Sequence, residues 1–170
     1  MKSIFVYISL FLFTLNANAQ IAKAEIIATG LTCSMCSNAI NKQFKALAEV
    51  DKVETDLNTN TFTVYLKKDS KITPRILKER VEKAGFFVGS MIVTMQFENL
   101  KISDNLSVVQ DNLFLVFIDS KPKTLNGATR VKILDKGFVT QKEFKKLSKS
   151  YSKYPSYAYE NEDNYHLKTI

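Results

Sequence analysis

The spacing of apolar residues between Ile21 and about Gln96 changes several times, and the order of these changes restricts the fold more than any other feature of the chain. Ala24 to Thr29 is a short apolar stretch with β-branched residues, which is typical of a strand. Apolar side chains then recur at helical spacing, at Cys36, Ile40, Phe44, Leu47 and Ala48. This part of the chain is therefore predicted to begin with a strand and a helix.

Two further strands are predicted around residues 53–57 and 62–66, where apolar and polar residues alternate. The segment Asn58-Thr59-Asn60 between them consists of turn formers, so the two strands should form a hairpin. Truncation of a core residue would test this pattern. The expected core residues are Ile40, Phe44, Phe62, Val64, Leu77 and Val81.

A second helix has recognisable ends. Thr73 suits an N-cap, Pro74 suits the first helical position, and Gly85 suits the position just after the helix. Phe86 to Met95 then has the composition of a final strand. The predicted order is β-α-β-β-α-β, an α+β two-layer sandwich with both helices on one face of an antiparallel sheet.

The pattern changes from Phe97 onward, where short strands are predicted near residues 97–102, 106–109, 113–118, 128–134 and 165–170. Thr140 and Glu143 form a capping box that begins one helix. Residues 97–170 are thus expected to be a second small β-rich domain with one helix, and a five-stranded barrel would fit this order. The sequence indicates no role for this domain.

The first 19 residues have the three parts of a secretory signal peptide. Lys2 supplies a positive start, Ile4 to Leu15 is apolar, and Ala17-Asn18-Ala19 offers a cleavage site. A retained anchor is the alternative, although the apolar run is shorter than the roughly 20 residues of a spanning helix. We expect a periplasmic or secreted protein that begins at Gln20 and is not stably inserted in a membrane. The predicted organisation is 1–19, 20–96 and 97–170.

Charge and cysteine content limit the classes of partner and fold. The formal charge of +7 falls to +6 when Lys2 is removed with the leader. Export makes nucleic acid an unexpected partner despite this basic balance. The two cysteines lie in one short segment, so they cannot be the disulfide framework of a small secreted fold. They indicate a local chemical site.

That site is the segment Gly30-Leu31-Thr32-Cys33-Ser34-Met35-Cys36, between the first strand and the first helix. A thiol has an ordinary pKa of about 8.5, and the N-terminus of a helix favours its thiolate form. Thiolates are soft ligands that select ions such as Cu(I) and zinc over calcium or magnesium. Zinc normally takes four ligands, whereas two thiolates suit two-coordinate Cu(I) or Hg(II). Cys33 and Cys36 are the predicted metal ligands, with Cu(I) first and Hg(II) or Zn(II) as alternatives.

The segment resembles the G-M-T-C-x-x-C motif of heavy-metal-associated domains, which include copper chaperones and periplasmic mercury-binding proteins. The sequence Ala84-Gly85-Phe86 also matches that family. The resemblance implies a ferredoxin-like fold and an exposed metal loop that passes the ion on by thiolate exchange. It also implies that Leu31, in place of the usual Met, anchors the loop and that Phe86 lies beside it. A membrane metal transporter or another envelope metal protein would be the partner.

The alternative function is a thiol-disulfide oxidoreductase that uses the Cys33–Cys36 pair, because such enzymes share C-x-x-C at a helix start. We favour a binding protein without catalytic turnover. Met35 is expected to point outward and His166, the single histidine, to be no ligand. No catalytic constellation is recognisable after Phe97.

Overall fold

The computed structural model describes residues 21–31, 34–158 and 164–170. The predicted leader, Met1 to Ala19, lies outside these residues. The first elements are β1 (Ile21–Thr29), α1 (Ser34–Lys45), β2 (Val50–Asp56), β3 (Thr61–Leu66), α2 (Pro74–Lys83) and β4 (Phe87–Ile102). They are followed by β5 (Leu106–Gln110), β6 (Leu113–Phe117), β7 (Lys123–Ile133), α3 (Gln141–Ser150), a 3-10 helix (Pro155–Ala158) and β8 (Asn164–Thr169).

The first four strands form the predicted antiparallel sheet, in the order β2-β3-β1-β4. With α1 and α2 this is the β-α-β-β-α-β arrangement of a ferredoxin-like fold. The hairpin prediction is confirmed, since Asp56 pairs with Thr61 across the turn. All six expected core residues have no exposed surface, which confirms the predicted buried face.

Local signals define α2 as predicted. The Thr73 hydroxyl accepts a hydrogen bond from the Ile76 backbone N–H at 3.3 Å, and Pro74 is the first helical residue. Gly85 has φ +88°, a left-handed conformation that terminates the helix at little steric cost. The Gly85 N–H then donates to the Glu82 carbonyl at 2.8 Å.

The strand β4 is a single element of 16 residues, whereas the sequence suggested two strands separated near residue 96. Between Phe97 and Leu100 it bulges, because three steps along β4 match two along β7. Asn99 takes φ +48° at this bulge. Buried side chains fall on odd positions from Met91 to Phe97, and beyond the bulge the buried Ile102 is at an even position. The bulge therefore shifts the alternation of buried and exposed side chains by one residue.

Residues 97–170 extend the same sheet, whose complete order is β2-β3-β1-β4-β7-β8-β6-β5. The pair β6 and β8 is parallel, and the other pairs are antiparallel. Of the strands described, β5 pairs with β6 and forms no ladder with β4, so hydrogen bonding does not close a five-stranded barrel. The apolar run of β6 is buried on both faces, as its sequence predicted.

The two parts share one large core. It includes Phe44 and Phe62 under α1 together with Phe97, Phe117 and Tyr165 from the later strands. A second cluster lies under α3. Its buried members are Val116, Ile118, Leu134, Tyr151, Tyr154 and Tyr157. None of the helices in the described ranges is long and apolar enough to cross a membrane.

Candidate metal centre

β1 leads into the cysteine segment at the end of the sheet where the β2–β3 and α2–β4 connections also lie. β1 ends opposite the start of β4, with Thr29 paired to Phe87. The Ala28 N–H donates to the carbonyl of Asn60 in the β2–β3 turn at 3.1 Å. The end of β1, the hairpin turn and the α2–β4 turn are therefore neighbours.

The start of the loop is held by backbone conformation and packing. Gly30 has φ +89°, and a Cβ atom there would lie 3.8 Å from Cδ1 of Phe86. Phe86 is thus beside the loop, as the family resemblance implied. Leu31 is partly buried and packs against the main core, which agrees with an anchoring role.

Cys36 is the third residue of α1 and is partly exposed. The first turn of α1 has no acidic residue, whereas Lys42 and Lys45 occupy the last turn. The positive end of the helix dipole therefore has no acidic side chain of that turn competing with an anionic sulfur. Cys33 and Thr32 lie outside the described residues, so the pairing of Cys33 with Cys36 at one ion stays a prediction.

Three large apolar side chains are exposed around this end of the fold. Met35 is 78% exposed, Phe87 68% and Leu57 57%. The outward orientation expected for Met35 is confirmed, and Met91 and Met95 are buried in the core. In the described part of the chain, no three His, Cys, Asp or Glu side chains are grouped closely enough to hold a metal ion.

The neighbouring hairpin turn contributes a fixed carboxylate. Asp56 accepts hydrogen bonds from the Thr59 hydroxyl at 2.8 Å and the Asn58 N–H at 2.9 Å. These bonds, that of Thr59 first, hold the pKa of Asp56 below its ordinary value. They order the turn that carries the exposed Leu57.

His166 lies in the C-terminal half, buried in β8, and makes no metal-type cluster with the described cysteine. Its ring instead contacts Asp135 at 2.6 Å and Ser156 at 3.1 Å. No catalytic constellation was recognisable in the sequence after Phe97, and the structure adds that these three side chains are in contact. No spacing rule could have signalled this group, because Asp135 lies in the connection after β7, Ser156 on the 3-10 helix and His166 on β8.

Comparison with known proteins gives the following similarities. Residues 25–87 match the family model described as the heavy-metal-associated domain. A copper-transporting ATPase of Saccharomyces cerevisiae is 42% identical over 57 residues, which is 34% of this chain. The chain spans only 6% of that ATPase's length.

Solved structures give similar matches. The yeast copper transporter domain Ccc2a, solved in the apo and Cu(I)-loaded states, is 38% identical, with a TM-score of 0.35. That match covers 38% of this chain and 86% of that domain. The Atx1–Cu(I)–Ccc2a complex matches at 38% identity and a TM-score of 0.34, over 38% of this chain and 86% of that one.

Proposed function

Residues 25–87 match the heavy-metal-associated domain family, and on this premise we propose that the protein is an exported Cu(I) carrier that passes its ion on by thiolate exchange. The observation that carries the proposal is the position of Cys36. It is partly exposed in the first turn of a helix, at the end of a domain of this family.

The ligands would be the thiolates of Cys33 and Cys36. Two thiolates on a monovalent ion leave one net negative charge, which the N-terminus of α1 can stabilise. Soft sulfur ligands and a low ligand count favour Cu(I) over ions that require more ligands. The similarity to a copper-transporting ATPase supports the same choice. Hg(II) and Zn(II) are the alternatives that the metal assay distinguishes.

Transfer requires that a second protein reach the ion. Cys36 is partly exposed and Met35 next to it is largely exposed, so this side of the site is open to a partner. A partner thiolate would attack the bound ion, giving a three-coordinate intermediate, and one of the two original thiolates would then leave. The partner we propose is a membrane metal transporter or another metal protein of the cell envelope.

Export rests on the leader-like first 19 residues. The mature protein should then begin at Gln20 and occur in the periplasm or the medium. Intact mass of material from native cells measures this directly. A mass that includes Met1 to Ala19 would contradict cleavage without affecting the metal site.

The metal site is tested on reduced protein handled without air. Titration with Cu(I) against a chromophoric Cu(I) chelator should give one ion per chain, and X-ray absorption should show two sulfur ligands. Cys33→Ser and Cys36→Ser should each lower affinity by at least roughly 100-fold, beyond the effect usual for groups outside the coordination sphere. Met35→Ala is the matched control and should change little.

Two results would overturn this proposal. The first is coordination dominated by nitrogen or oxygen, and the second is full Cu(I) affinity in Cys36→Ser. The oxidoreductase alternative uses the same cysteines and the same helix start, so it has its own assay. Reduction of insulin by dithiothreitol in the presence of the protein should proceed no faster than with dithiothreitol alone. A clear acceleration that Cys36→Ser abolishes would favour the enzyme.

A further inference from the structure

Three polar side chains form a continuous hydrogen-bonded chain in the C-terminal half of the protein. The Asp135 Oδ1 atom lies 2.6 Å from His166 Nδ1. On the other side of the ring, His166 Nε2 lies 3.1 Å from the Ser156 hydroxyl oxygen. The order is carboxylate, imidazole, hydroxyl.

Backbone hydrogen bonds place the Asp135 carboxylate beside His166. The β7–β8 ladder is extended by the Leu134 N–H, which donates to the His166 carbonyl at 2.9 Å. Asp135 is the next residue, and its Oδ2 accepts the His166 backbone N–H at 2.7 Å. The two carboxylate oxygens thus contact the backbone and the ring of the same histidine. This double contact restricts the rotation of both side chains.

The contact also determines which ring nitrogen carries the proton. An ionised carboxylate only accepts hydrogen bonds, so His166 Nδ1 must donate to Asp135. In the neutral ring Nε2 then has a lone pair, which accepts the hydrogen of the Ser156 hydroxyl. This is the arrangement in which an imidazole can remove a proton from a hydroxyl.

The surroundings hold the imidazole and leave the serine partly accessible. His166 is 2% exposed, and the Tyr157 ring meets it edge-on with centroids 4.9 Å apart. The Tyr157 hydroxyl donates to the Leu134 carbonyl at 2.6 Å, which fixes that ring in turn. Ser156 is partly exposed on the 3-10 helix Pro155–Ala158. The hydroxyl is thus within reach of a reagent while its base is shielded.

We propose that Ser156 is an activated nucleophile that accepts acyl groups from carboxylic esters, with His166 as general base and Asp135 as the residue that positions it. A hydroxyl bound to a base that a third group orients is the geometric requirement for this chemistry. A buried histidine with a purely structural role could bond its two ring nitrogens to many combinations of donors and acceptors. Here the acceptor nitrogen of the ring faces the hydroxyl.

The reaction is balanced with water as the second substrate. The Ser156 oxygen bonds to the acyl carbon as its proton passes to His166 Nε2. The bond from the acyl carbon to the ester oxygen breaks, and the departing alkoxide takes that proton and leaves as an alcohol. Water then attacks the acyl group with the same base, releasing a carboxylic acid and restoring the serine hydroxyl.

The direct test is the full chain treated with an alkyl fluorophosphonate, which forms a stable Ser–phosphorus bond and releases fluoride. Intact mass and peptide mapping should show one adduct, at Ser156. The adduct should be lost in Ser156→Ala and retained in Ser152→Ala, whose wild-type hydroxyl is exposed and donates to the nearby Lys149 carbonyl. No adduct, or equal labelling of Ser152, would overturn the proposal.

Positioning by Asp135 has a separate readout. In Asp135→Asn the amide would present N–H to the ring, so Nε2 would hold the proton and could not accept another. The labelling rate should fall by about 100-fold or more, as expected for a wrong tautomer. An unchanged rate in a folded Asp135→Asn protein would show that the chain of hydrogen bonds is only structural.

A cysteine substitution keeps the test decisive if Asp135→Asn does not fold. In a background lacking Cys33 and Cys36, the Ser156→Cys thiol should react with iodoacetamide at pH 6 about 10-fold faster than the Ser152→Cys thiol, because an adjacent imidazole promotes the thiolate. Equal rates would contradict activation by His166.

Discussion

The closest approach around any glycine of the described chain is at Gly89 in β4. A Cβ atom there would lie 2.5 Å from Cγ2 of Thr29, a distance that real contacts do not reach. Its other neighbours, the Ile27 carbonyl oxygen at 3.5 Å and Thr140 Cγ2 at 3.7 Å, are at ordinary distances. Thr29 is β-branched and rotates with difficulty, and its hydroxyl donates to the Phe87 carbonyl at 3.3 Å. Gly89→Ala must therefore displace backbone.

The expected magnitude is a balance of two effects. Replacing a strand glycine by alanine removes freedom from the unfolded chain and would stabilise the protein by about 0.5–1 kcal/mol if the site were open. Forcing a methyl group into an occupied space costs about 1–3 kcal/mol. Gly89→Ala should therefore lower the free energy of unfolding by about 1–2 kcal/mol. Because Thr29 precedes the cysteine loop, Cu(I) affinity should be measured on the same variant.

The matched rescue is Thr29→Ser, which removes the colliding methyl group and keeps the hydroxyl. In that background Gly89→Ala should be neutral or slightly stabilising, so the two substitutions should couple by about 2 kcal/mol. Urea unfolding of the four proteins gives this coupling energy as a double-mutant cycle. Additive effects, or a Gly89→Ala protein as stable as the wild type, would refute the steric explanation.

Three further outcomes are expected. Phe44→Ala should cost about 3–5 kcal/mol in urea unfolding, because Phe44 has no exposed surface and packs on a second ring, whereas Leu57→Ala at an exposed position should stay within about 0.5 kcal/mol. The Tyr154 hydroxyl, with smaller contributions that include Lys153, lowers the pKa of Asp104 below its ordinary 3.8. This stabilisation is complete above that value and disappears as pH falls through the lower folded pKa, so Asp104→Asn should make urea midpoints less dependent on pH below about 4. A fragment ending at Gln96 should unfold cooperatively at a lower urea midpoint than the full chain, and a non-cooperative transition would show that the later strands are required for folding.

The features predicted correctly are those encoded by neighbouring residues. The cap at Thr73, the terminator at Gly85 and the turn at residues 58–60 each depend on a few consecutive side chains. The alternation in β3 and the helical spacing in α1 then identify the buried faces, since Phe62 and Phe44 are both fully buried. The cysteine segment was recognisable as a motif for the same reason, because only two residues separate Cys33 from Cys36, while their role as ligands stays a prediction.

The features that were missed depend on contacts distant along the chain. Asn99 adopts a left-handed conformation that lets β4 continue through an apparent boundary, and nothing in its immediate sequence requires this. The parallel pairing of β6 with β8 joins segments about 50 residues apart. Asp135, Ser156 and His166 meet only because the connection after β7, the 3-10 helix and β8 converge. No short sequence pattern predicts contacts between residues so far apart along the chain.

The one-residue bulge in β4 has a consequence for how this gene can vary. From Met91 to Phe97 the inward residues are odd-numbered, whereas beyond the bulge Ile102 is inward, so the alternation of side chains in one half is fixed relative to that in the other. Side chains alternate between the two faces of a sheet along a strand. Losing or gaining a single codon between Met95 and Leu100 would therefore move the buried side chains of one half to the opposite face relative to the other half. Recombination that exchanges the N-terminal half for a relative's can therefore succeed only when the crossover preserves this parity, whereas exchanges within the turns are free of that condition.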